Sequence, residues 1–342
     1  MGNIASKNNN TNIIHRSQNS IDELSLEFNT SYLKLHENTC ICLIDIVNYS
    51  KWCSTHSPLE IFYTMTAYNE FICDILSKYN KDIHKIELVG DSLMIIAGLT
   101  NNLPISENVS NLLSIAKIIL SKIDCIYNMF DSYNSLRIGI HAGEISSGFI
   151  ENPHKFQVFG NNINITSRLE SITLPGTCCI SSSSLKNLES NIYDHSFIGK
   201  EQLSLLKGVG MIKYHFCFIS NTDILIADDN DIIITLYQNI LKKKFNLQSV
   251  RSNTIEKTIN LMKSNIYNYC ILDIHFTTET DTYIILDYIH SFREWENKFR
   301  NTRQKIILTS TDFDVSKLDT IDGYIDKSNI FNIEQYNNVG IF

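Results

Sequence analysis

CICLIDIVNYS, residues 40–50, is the stretch that decides the fold of the first part of the chain. It is an apolar run of the kind that forms a buried strand, and it leads to one carboxylate, Asp45. The stretch KIELVGDSLM, residues 85–94, has the same form: a strand-like run reaches Asp91 in a tight turn, and residues 92–97 return as its partner strand. The pattern predicts Asp45 at a strand end and Asp91 at a hairpin tip, positions where solvent and a divalent cation can reach each carboxylate.

A third stretch, FGNNINITSRLE at residues 159–170, supplies polar groups of another kind. It places Asn164 and Arg168 four residues apart in a predicted helix, so both side chains leave the same helix face. Carboxylates bind hard cations, and a guanidinium binds phosphate oxygens. The three stretches together predict a site that handles phosphate groups.

In this order, the three stretches resemble the class III nucleotidyl cyclases, the family of adenylate and guanylate cyclases. The resemblance continues in LRIGIHAGEISSGFI at 136–150, which is similar to the family's arginine-led strand and hairpin, and in LLKGVGMIKYHF at 205–216, which is similar to its closing lysine-bearing strand. It implies a ferredoxin-like α/β cyclase domain over residues 36–219. The implied reaction is attack of the ribose 3′-hydroxyl on the α-phosphate of a nucleoside triphosphate, with release of pyrophosphate.

The resemblance also implies roles for the matching residues. Asp45, the Ile46 carbonyl and Asp91 are expected to hold two Mg²⁺ or Mn²⁺ ions. Arg168 is expected to stabilise charge on the α-phosphoryl transition state, and Asn164 to hold the ribose. No protein nucleophile is needed, so catalysis consists of positioning and charge stabilisation.

Other matching residues are expected to contact the phosphates. Arg137 and Lys207 are assigned to the terminal phosphates, although taken alone they read as a surface strand arginine and a solvated loop lysine. Backbone amides of the loop after the first strand are assigned to the phosphate cradle, namely those of Val47, Asn48, Tyr49 and Ser50. At the last three of these positions the family more often has Gly, Phe and Thr. It also often has lysine at the place of Val209, so phosphate contacts are expected to be fewer here.

Base choice is assigned by the resemblance to Glu87 and Gln157. In the family, glutamate with cysteine at these places usually accompanies GTP, whereas lysine with aspartate or threonine usually accompanies ATP. Glu87 favours guanine and Gln157 fits neither pair, so we expect GTP as the substrate and keep ATP as the alternative. Because family sites combine residues of two protomers, and this chain carries both sets, we expect a head-to-tail homodimer with two equivalent sites.

From about residue 222 the pattern changes to apolar strands alternating with helix-like stretches. The strands are DILIADD at 223–229, YCILDIHF at 269–276, KIILTST at 305–311 and GYIDKSN at 323–329. This alternation predicts a flavodoxin-like, doubly wound parallel sheet over residues 222–336. Polar residues fall at the carboxyl ends of its strands, where ligands bind in such sheets: Asp228, Asp229, Asp273, Thr309 and Lys327.

This second region resembles the receiver domain of two-component response regulators. The resemblance implies that Asp273 is the phosphoacceptor for a histidine kinase or phosphotransfer protein, and it assigns Mg²⁺ binding to Asp228 and Asp229, sensing of the phosphoryl group to Thr309 and its neutralisation to Lys327. Two features depart from the family: proline and glycine are missing shortly after Asp273, and Ser328 replaces a proline. Residues 291–304 are read as an insertion before the fourth strand. The alternative is a receiver fold kept only for dimerisation or docking.

Three functional classes follow from these patterns. The first is a receiver-regulated nucleotidyl cyclase. The second is a catalytically silent cyclase-like scaffold, and the third is a phosphorelay receiver with an incidental partner domain. Every expected catalytic position is filled, which favours the enzyme over both alternatives.

Composition sets the remaining bounds. With 342 residues the chain is long enough for about two domains. The net charge of −8 argues against a nucleic-acid partner. Nine cysteines without a CxxC pair or a secretory signal favour reduced thiols and a cytoplasmic location, with Cys178 and Cys179 in a buried strand.

The N-terminal residues 1–35 are read as a polar tail and lead-in, disordered over the Asn- and Ser-rich part. MGNIAS at 1–6 fits the M-G-x-x-x-[ST] pattern of N-myristoylation on Gly2, and a chance match is the alternative. One myristoyl chain with few basic neighbours gives only weak and reversible membrane association.

Overall fold

The computed structural model describes residues 33–79, 82–87, 90–100, 103–130, 135–150, 155–188, 197–218, 224–277, 282–311 and 320–341. The chain divides into two compact units. The first contains most residues up to His215, and the second contains Phe216–Phe342 together with the short segments Pro175–Thr177 and Asp194–Glu201. Gly2 and nearly all of the predicted tail lie outside the described residues, so the lipidation and its membrane contact stay predictions.

The first sheet has eight strands in the order β2-β3-β1-β4-β6-β8-β7, with β5 paired to β4. Its strands are β1 (Lys34–Ile46), β2 (Ile83–Glu87), β3 (Leu93–Ala97), β4 (Leu136–Ile150), β5 (Lys155–Phe159), β6 (Thr177–Ser181), β7 (Gln202–Leu206) and β8 (Gly210–Cys217). The helices of this region are α1 (Tyr49–Cys53), α2 (Pro58–Leu76), α3 (Ile105–Ser121), α4 (Ile123–Phe130), α5 (Asn161–Ile172) and α6 (Ser182–Leu185).

Local sequence explains where α2 begins. Ser57 accepts a hydrogen bond from the Glu60 backbone N–H, and the Glu60 carboxylate accepts one from the Ser57 N–H at 2.8 Å. This capping box satisfies two backbone donors of the first turn, and Pro58 at the first helical position needs no partner for a missing N–H. The helix ends at Leu76 and packs through Tyr68, Ile72 and Ile75.

Strands β1 and β4 form the centre of the first sheet and run antiparallel, with Asp45 opposite Arg137 and Leu43 opposite Gly139. Helix α5 lies very close to β4. A Cβ atom on Gly139 would lie 2.5 Å from the Glu170 backbone nitrogen and 2.6 Å from the Thr166 carbonyl oxygen. Glycine is therefore the residue that allows α5 to approach the strand pair bearing Asp45.

The second unit contains a parallel sheet of five strands in the order β10-β9-β11-β14-β15. Its strands are β9 (Ile224–Ala227), β10 (Ser249–Ser252), β11 (Tyr269–Asp273), β14 (Lys305–Ser310) and β15 (Gly323–Asp326), and a small hairpin consists of β12 (His275–Thr277) and β13 (Thr282–Ile284). The helices are α7 (Asp231–Phe245), α8 (Ile255–Ser264), α9 (Leu286–Phe299) and α10 (Ile333–Asn338), and a 3₁₀ turn covers Lys327–Asn329.

Alternating strand residues of this sheet enter two separate cores, which is what a doubly wound sheet requires. Leu225 and Leu272 pack with residues of α8 and α9 on one face. Ile226 and Ile271 pack with residues of α7 and α10 on the other. With helices on both faces and this strand order, the sheet has the flavodoxin-like arrangement.

The stretch 291–304, which the sequence predicts to be an insertion before the fourth strand, is largely helical. Most of that stretch is the second half of α9, whose Ile289 and Phe292 are buried in the core. A short antiparallel pair of strands, β12 and β13, begins two residues after Asp273, and in it Phe276 pairs with Tyr283. The sequence analysis read the polar segment after Asp273 as a loop, because strands of three residues show almost no hydrophobic periodicity.

Cys178 and Cys179 are fully buried in β6, as predicted, and all nine cysteines are free thiols. Among the residues described, no helix combines the length and the apolar character needed to cross a membrane.

Candidate functional site

Asp45 and Asp91 converge at one end of the first sheet. Asp45 is the second-last residue of strand β1, and Asp91 lies in the turn between the antiparallel strands β2 and β3, as predicted. Burial and the neighbouring negative charge of Asp45 raise the pKa of Asp91, while a hydrogen bond from the Ile46 backbone opposes the rise. Two neighbouring half-buried carboxylates repel each other, and a bound cation relieves that repulsion. The all-oxygen donor set therefore fits Mg²⁺ or Mn²⁺.

The loop after β1 turns sharply toward α1. Asn48 has a left-handed backbone conformation with φ 61° and forms the N-cap of α1, and the Val47 N–H donates to the Ser135 carbonyl at 2.8 Å. Asparagine tolerates this conformation better than most residues with a side chain. It can therefore stand where the resembled family has glycine without changing the path of the loop through Tyr49 and Ser50.

Arg137 is held between two carboxylates. Its Nη2 lies 2.5 Å from Asp45 Oδ2, and its Nε lies 3.2 Å from Glu170 Oε1. The resemblance assigned Arg137 to terminal phosphates, whereas its partners in the structure are acidic side chains. The expectation of a phosphate contact stays a prediction.

Glu170 was missed by the sequence analysis. Its side chain is only 11% exposed. Burial, together with the charge of Asp45, raises its pKa to about 7 in spite of the nearby Arg137. The sequence did contain one signal for Glu170. This acidic residue shares the buried face of α5 with Thr166 and Leu169. Such a residue requires a partner, since an isolated carboxylate is costly to bury.

Asn164 and Arg168 are exposed, whereas Ile165, Leu169 and Glu170 on the same helix are buried. The predicted transition-state and ribose residues thus project from the outer face of α5, away from the face that meets β4. Within one chain, the structure brings together the metal-binding aspartates but leaves Asn164 and Arg168 facing solvent.

The remaining predicted residues lie on other strands. Gln157 is half-buried in β5 opposite Gly148, and Glu87 is the last residue of β2, opposite Leu93. Lys207 is exposed in the turn between β7 and β8.

A second acidic cluster lies in the parallel sheet. Asp228, Asp229 and Asp273 each offer a carboxylate oxygen, and these atoms lie within 4.8 Å of one another. Lys327 Nζ lies 2.6 Å from Asp228 Oδ2 and 2.7 Å from Asp273 Oδ2. Thr309 is buried on β14 directly opposite Asp273. The structure thus brings together all five residues that the sequence placed at these strand ends.

Lys327 offsets only part of the negative charge of this cluster. Burial raises the pKa values of Asp228 and Asp273, and hydrogen bonds from Lys327 partly offset the rise. Burial alone lowers the pKa of Lys327, but its two aspartate partners outweigh burial and the pKa is raised. Asp229 also accepts a hydrogen bond from the Thr277 N–H at 2.7 Å, which ties the hairpin to the cluster.

Comparison with known proteins concerns the first region. Residues 31–218 match the family model described as the adenylate and guanylate cyclase catalytic domain. Guanylate cyclase 2G of Mus musculus is 32% identical over 146 residues, which cover 41% of this chain and 13% of that protein. Adenylyl cyclase X E of Drosophila melanogaster is 28% identical over 170 residues, which cover 48% of this chain and 14% of that protein.

A solved structure supports the fold. The adenylyl cyclase CyaB from P. aeruginosa superposes with a TM-score of 0.50 at 16% identity, over 56% of this chain and 98% of that chain. The likeness shows the cyclase fold of the first region. The two longer relatives share only about a seventh of their length with this chain.

Proposed function

The chain belongs to the adenylate and guanylate cyclase catalytic domain family, and from this premise we propose that it converts GTP to cyclic GMP and pyrophosphate in a homodimer. The observation that carries the proposal is that Asp45 and Asp91, from two separate strand ends, come close enough for the charge of Asp45 to raise the pKa of Asp91. These are the residues that the reaction needs to hold divalent ions.

The ions, when bound, supply positive charge that lowers the pKa of the ribose 3′-hydroxyl and neutralises the triphosphate. Asp45, the Ile46 carbonyl and Asp91 are the groups that would hold them. Arg168 stabilises the charge that develops on the α-phosphoryl group, and Asn164 orients the ribose for attack.

Two chains are needed because one chain does not bring these groups together. Asn164 and Arg168 leave the outer face of α5, while Asp45 and Asp91 belong to the sheet end that the inner face approaches. A head-to-tail pair places the outer face of one α5 against the metal residues of its partner, and it does so twice. Lys207, in its exposed turn, and the backbone amides of the loop from Val47 to Ser50 then bind the phosphates of the substrate.

Guanine selectivity is proposed from the chemistry of Glu87 and Gln157. A carboxylate at Glu87 accepts hydrogen bonds from guanine N1–H and the 2-amino group but faces the lone pair of adenine N1, so ATP leaves it unpaired. The Gln157 amide can donate to guanine O6 or turn to accept from the adenine 6-amino group. Because Gln157 can pair with either base, we keep adenylate cyclase activity as the second candidate function. We expect the enzyme to discriminate imperfectly between GTP and ATP.

The parallel sheet domain is proposed to regulate the cyclase as a receiver. Three carboxylates suit a Mg²⁺ ion, Asp273 is the proposed acceptor of a phosphoryl group, and the proposal is supported by Lys327 and Thr309 beside it. A histidine kinase or phosphotransfer protein is the corresponding partner. The alternative of a docking module rests on Ser328 and on the hairpin β12–β13, which departs from the expected loop after Asp273.

Complementation tests the composite site. Asp91→Asn and Arg168→Ala should each be inactive, yet a mixture that exchanges subunits should recover about a quarter of wild-type activity, because half of the dimers are mixed and each has one intact site. Subunit exchange is verified with two differently tagged chains. Failure to recover activity in an exchanged mixture would contradict the shared site, and activity in either single variant would contradict the residue's role.

A further inference from the structure

Arg137 is positioned from two sides. Strand register places it directly across from Asp45, and the close approach of α5 over Gly139 brings Glu170 to its other edge. The guanidinium therefore bridges a predicted metal ligand on the sheet and a carboxylate on the helix.

The two contacts of Arg137 are unequal. The Nη2 group makes a hydrogen bond of 2.5 Å to Asp45. Arg137 Nε and Glu170 Oε1, 3.2 Å apart, are both buried and neither makes a hydrogen bond in the described structure. While Arg137 binds Asp45, its Nε–H is thus a donor without a hydrogen bond, and Glu170 Oε1 is an acceptor without one.

Metal binding at Asp45 competes with this arrangement. Arg137 occupies Asp45 Oδ2, and its positive charge repels a cation bound to the same carboxylate, so the metal is favoured when the guanidinium moves away from Asp45. Once Asp45 releases Arg137, the guanidinium remains partly buried and needs a negative partner, since an unpaired buried charge is strongly unfavourable. Glu170 is in place to be that partner, through the two atoms that lack hydrogen bonds.

We propose that Glu170 is a positioning residue that takes over Arg137 when Asp45 binds its metal, and so sets the metal affinity of the site. The inference rests on the metal role of Asp45 in the proposed function. It makes Asp45 and Glu170 competitors for one guanidinium. Removing Glu170 leaves Arg137 on Asp45 and weakens metal binding, and removing Arg137 abolishes the effect of Glu170.

The test is a double-mutant cycle on Mn²⁺ binding to the full chain without nucleotide, followed by electron paramagnetic resonance of free Mn²⁺. The binding component that disappears in Asp45→Asn is assigned to this site. Glu170→Gln should weaken that component by about tenfold, and Arg137→Gln should strengthen it. In the Arg137→Gln background, Glu170→Gln should change the affinity by less than about twofold.

Glu144→Gln is the matched control, since it removes an exposed carboxylate of β4 and should leave the affinity unchanged. Thermal unfolding and sedimentation confirm that each variant is folded. Where Glu170→Gln does not fold, Glu170→Asp withdraws the carboxylate by one methylene and should weaken Mn²⁺ binding in the same direction.

If Glu170→Gln weakens Mn²⁺ binding equally in the wild-type and Arg137→Gln backgrounds, Glu170 acts only through its charge and not through Arg137. That result would overturn the inference. No weakening in the wild-type background would overturn it as well. A wild type that binds Mn²⁺ no better than Asp45→Asn would overturn the metal assignment of the proposed function together with the inference, so the two failures are distinguishable.

Discussion

Gly139 lies under α5, and replacing it with alanine should displace the helix that carries Asn164 and Arg168. The added Cβ would lie 2.5 Å from the Glu170 nitrogen, 2.6 Å from the Thr166 oxygen and 2.9 Å from the Glu170 Cα, all of them backbone atoms. Carbon needs about 3.5 Å from such neighbours, so the helix must shift by roughly 1 Å.

The shift should affect activity more than stability. Overpacking of this kind costs about 1–3 kcal/mol of unfolding free energy. A displacement of ~1 Å at catalytic groups costs on the order of 100-fold in rate, because positioning is the source of catalysis here. We therefore expect kcat to fall about 100-fold while the dimer persists and Tm falls by several degrees.

The assay compares cyclisation rates and thermal unfolding of Gly139→Ala with those of Gly143→Ala. At Gly143 the added Cβ would lie 2.4 Å from Asn162 Nδ2 and 2.6 Å from Asn162 Cγ, so the Asn162 side chain must rotate and lose its hydrogen bonds to His141 and the Glu144 carbonyl, but its three nearest neighbours include no backbone atom. The second variant should lose less than about tenfold in kcat. Equal kcat values for Gly139→Ala and wild type would refute the argument that close packing of α5 on β4 positions Asn164 and Arg168 for catalysis.

Three further predictions concern regulation, base choice and pH. Acetyl phosphate should label Asp273 and change the cyclase rate, and Asp273→Asn should remove both responses; a protein that is never labelled by any donor would leave the parallel sheet a structural module. Glu87→Lys with Gln157→Asp should move the ratio of kcat/KM values from GTP toward ATP, and a wild type that prefers ATP would overturn the guanine assignment. Burial lowers the pKa of His36 to about 4 in the folded protein, against about 6.5 in the unfolded chain. Between these two pH values the unfolded chain binds a proton at His36 that the folded protein does not. The free energy of unfolding is therefore unaffected by His36 above about pH 6.5 and decreases as the pH falls toward 4. Chemical denaturation should show a loss of about 2 kcal/mol between pH 7 and pH 5 that His36→Gln reduces, whereas the same loss in both proteins would contradict the assignment.

Features encoded in continuous stretches of sequence could be predicted. Asp45 and Asp91 were placed correctly because each follows a strand-like run, and the parallel sheet was visible because its strands are short apolar runs at regular spacing. Asn164 and Arg168 share a helix face, as their spacing predicted. These features depend on residues close together in the chain.

Features that depend on distant contacts could not be predicted. The bridge from Asp45 through Arg137 to Glu170 joins three elements, and no local pattern shows which carboxylate a strand arginine will meet. The role of Gly139 also depends on how closely α5 approaches, which only the packed structure reveals. The hairpin after Asp273 was missed because its strands are too short for periodicity to register.

The measurement that tests the central claim most directly is product analysis of the purified chain incubated with GTP and Mn²⁺. We predict cyclic GMP and pyrophosphate in equal amounts, slower formation of cyclic AMP from ATP, and no product with Asp45→Asn. If a folded, dimeric, Mn²⁺-binding wild-type protein forms no cyclic nucleotide from either GTP or ATP, the account of this chain as a nucleotidyl cyclase is contradicted.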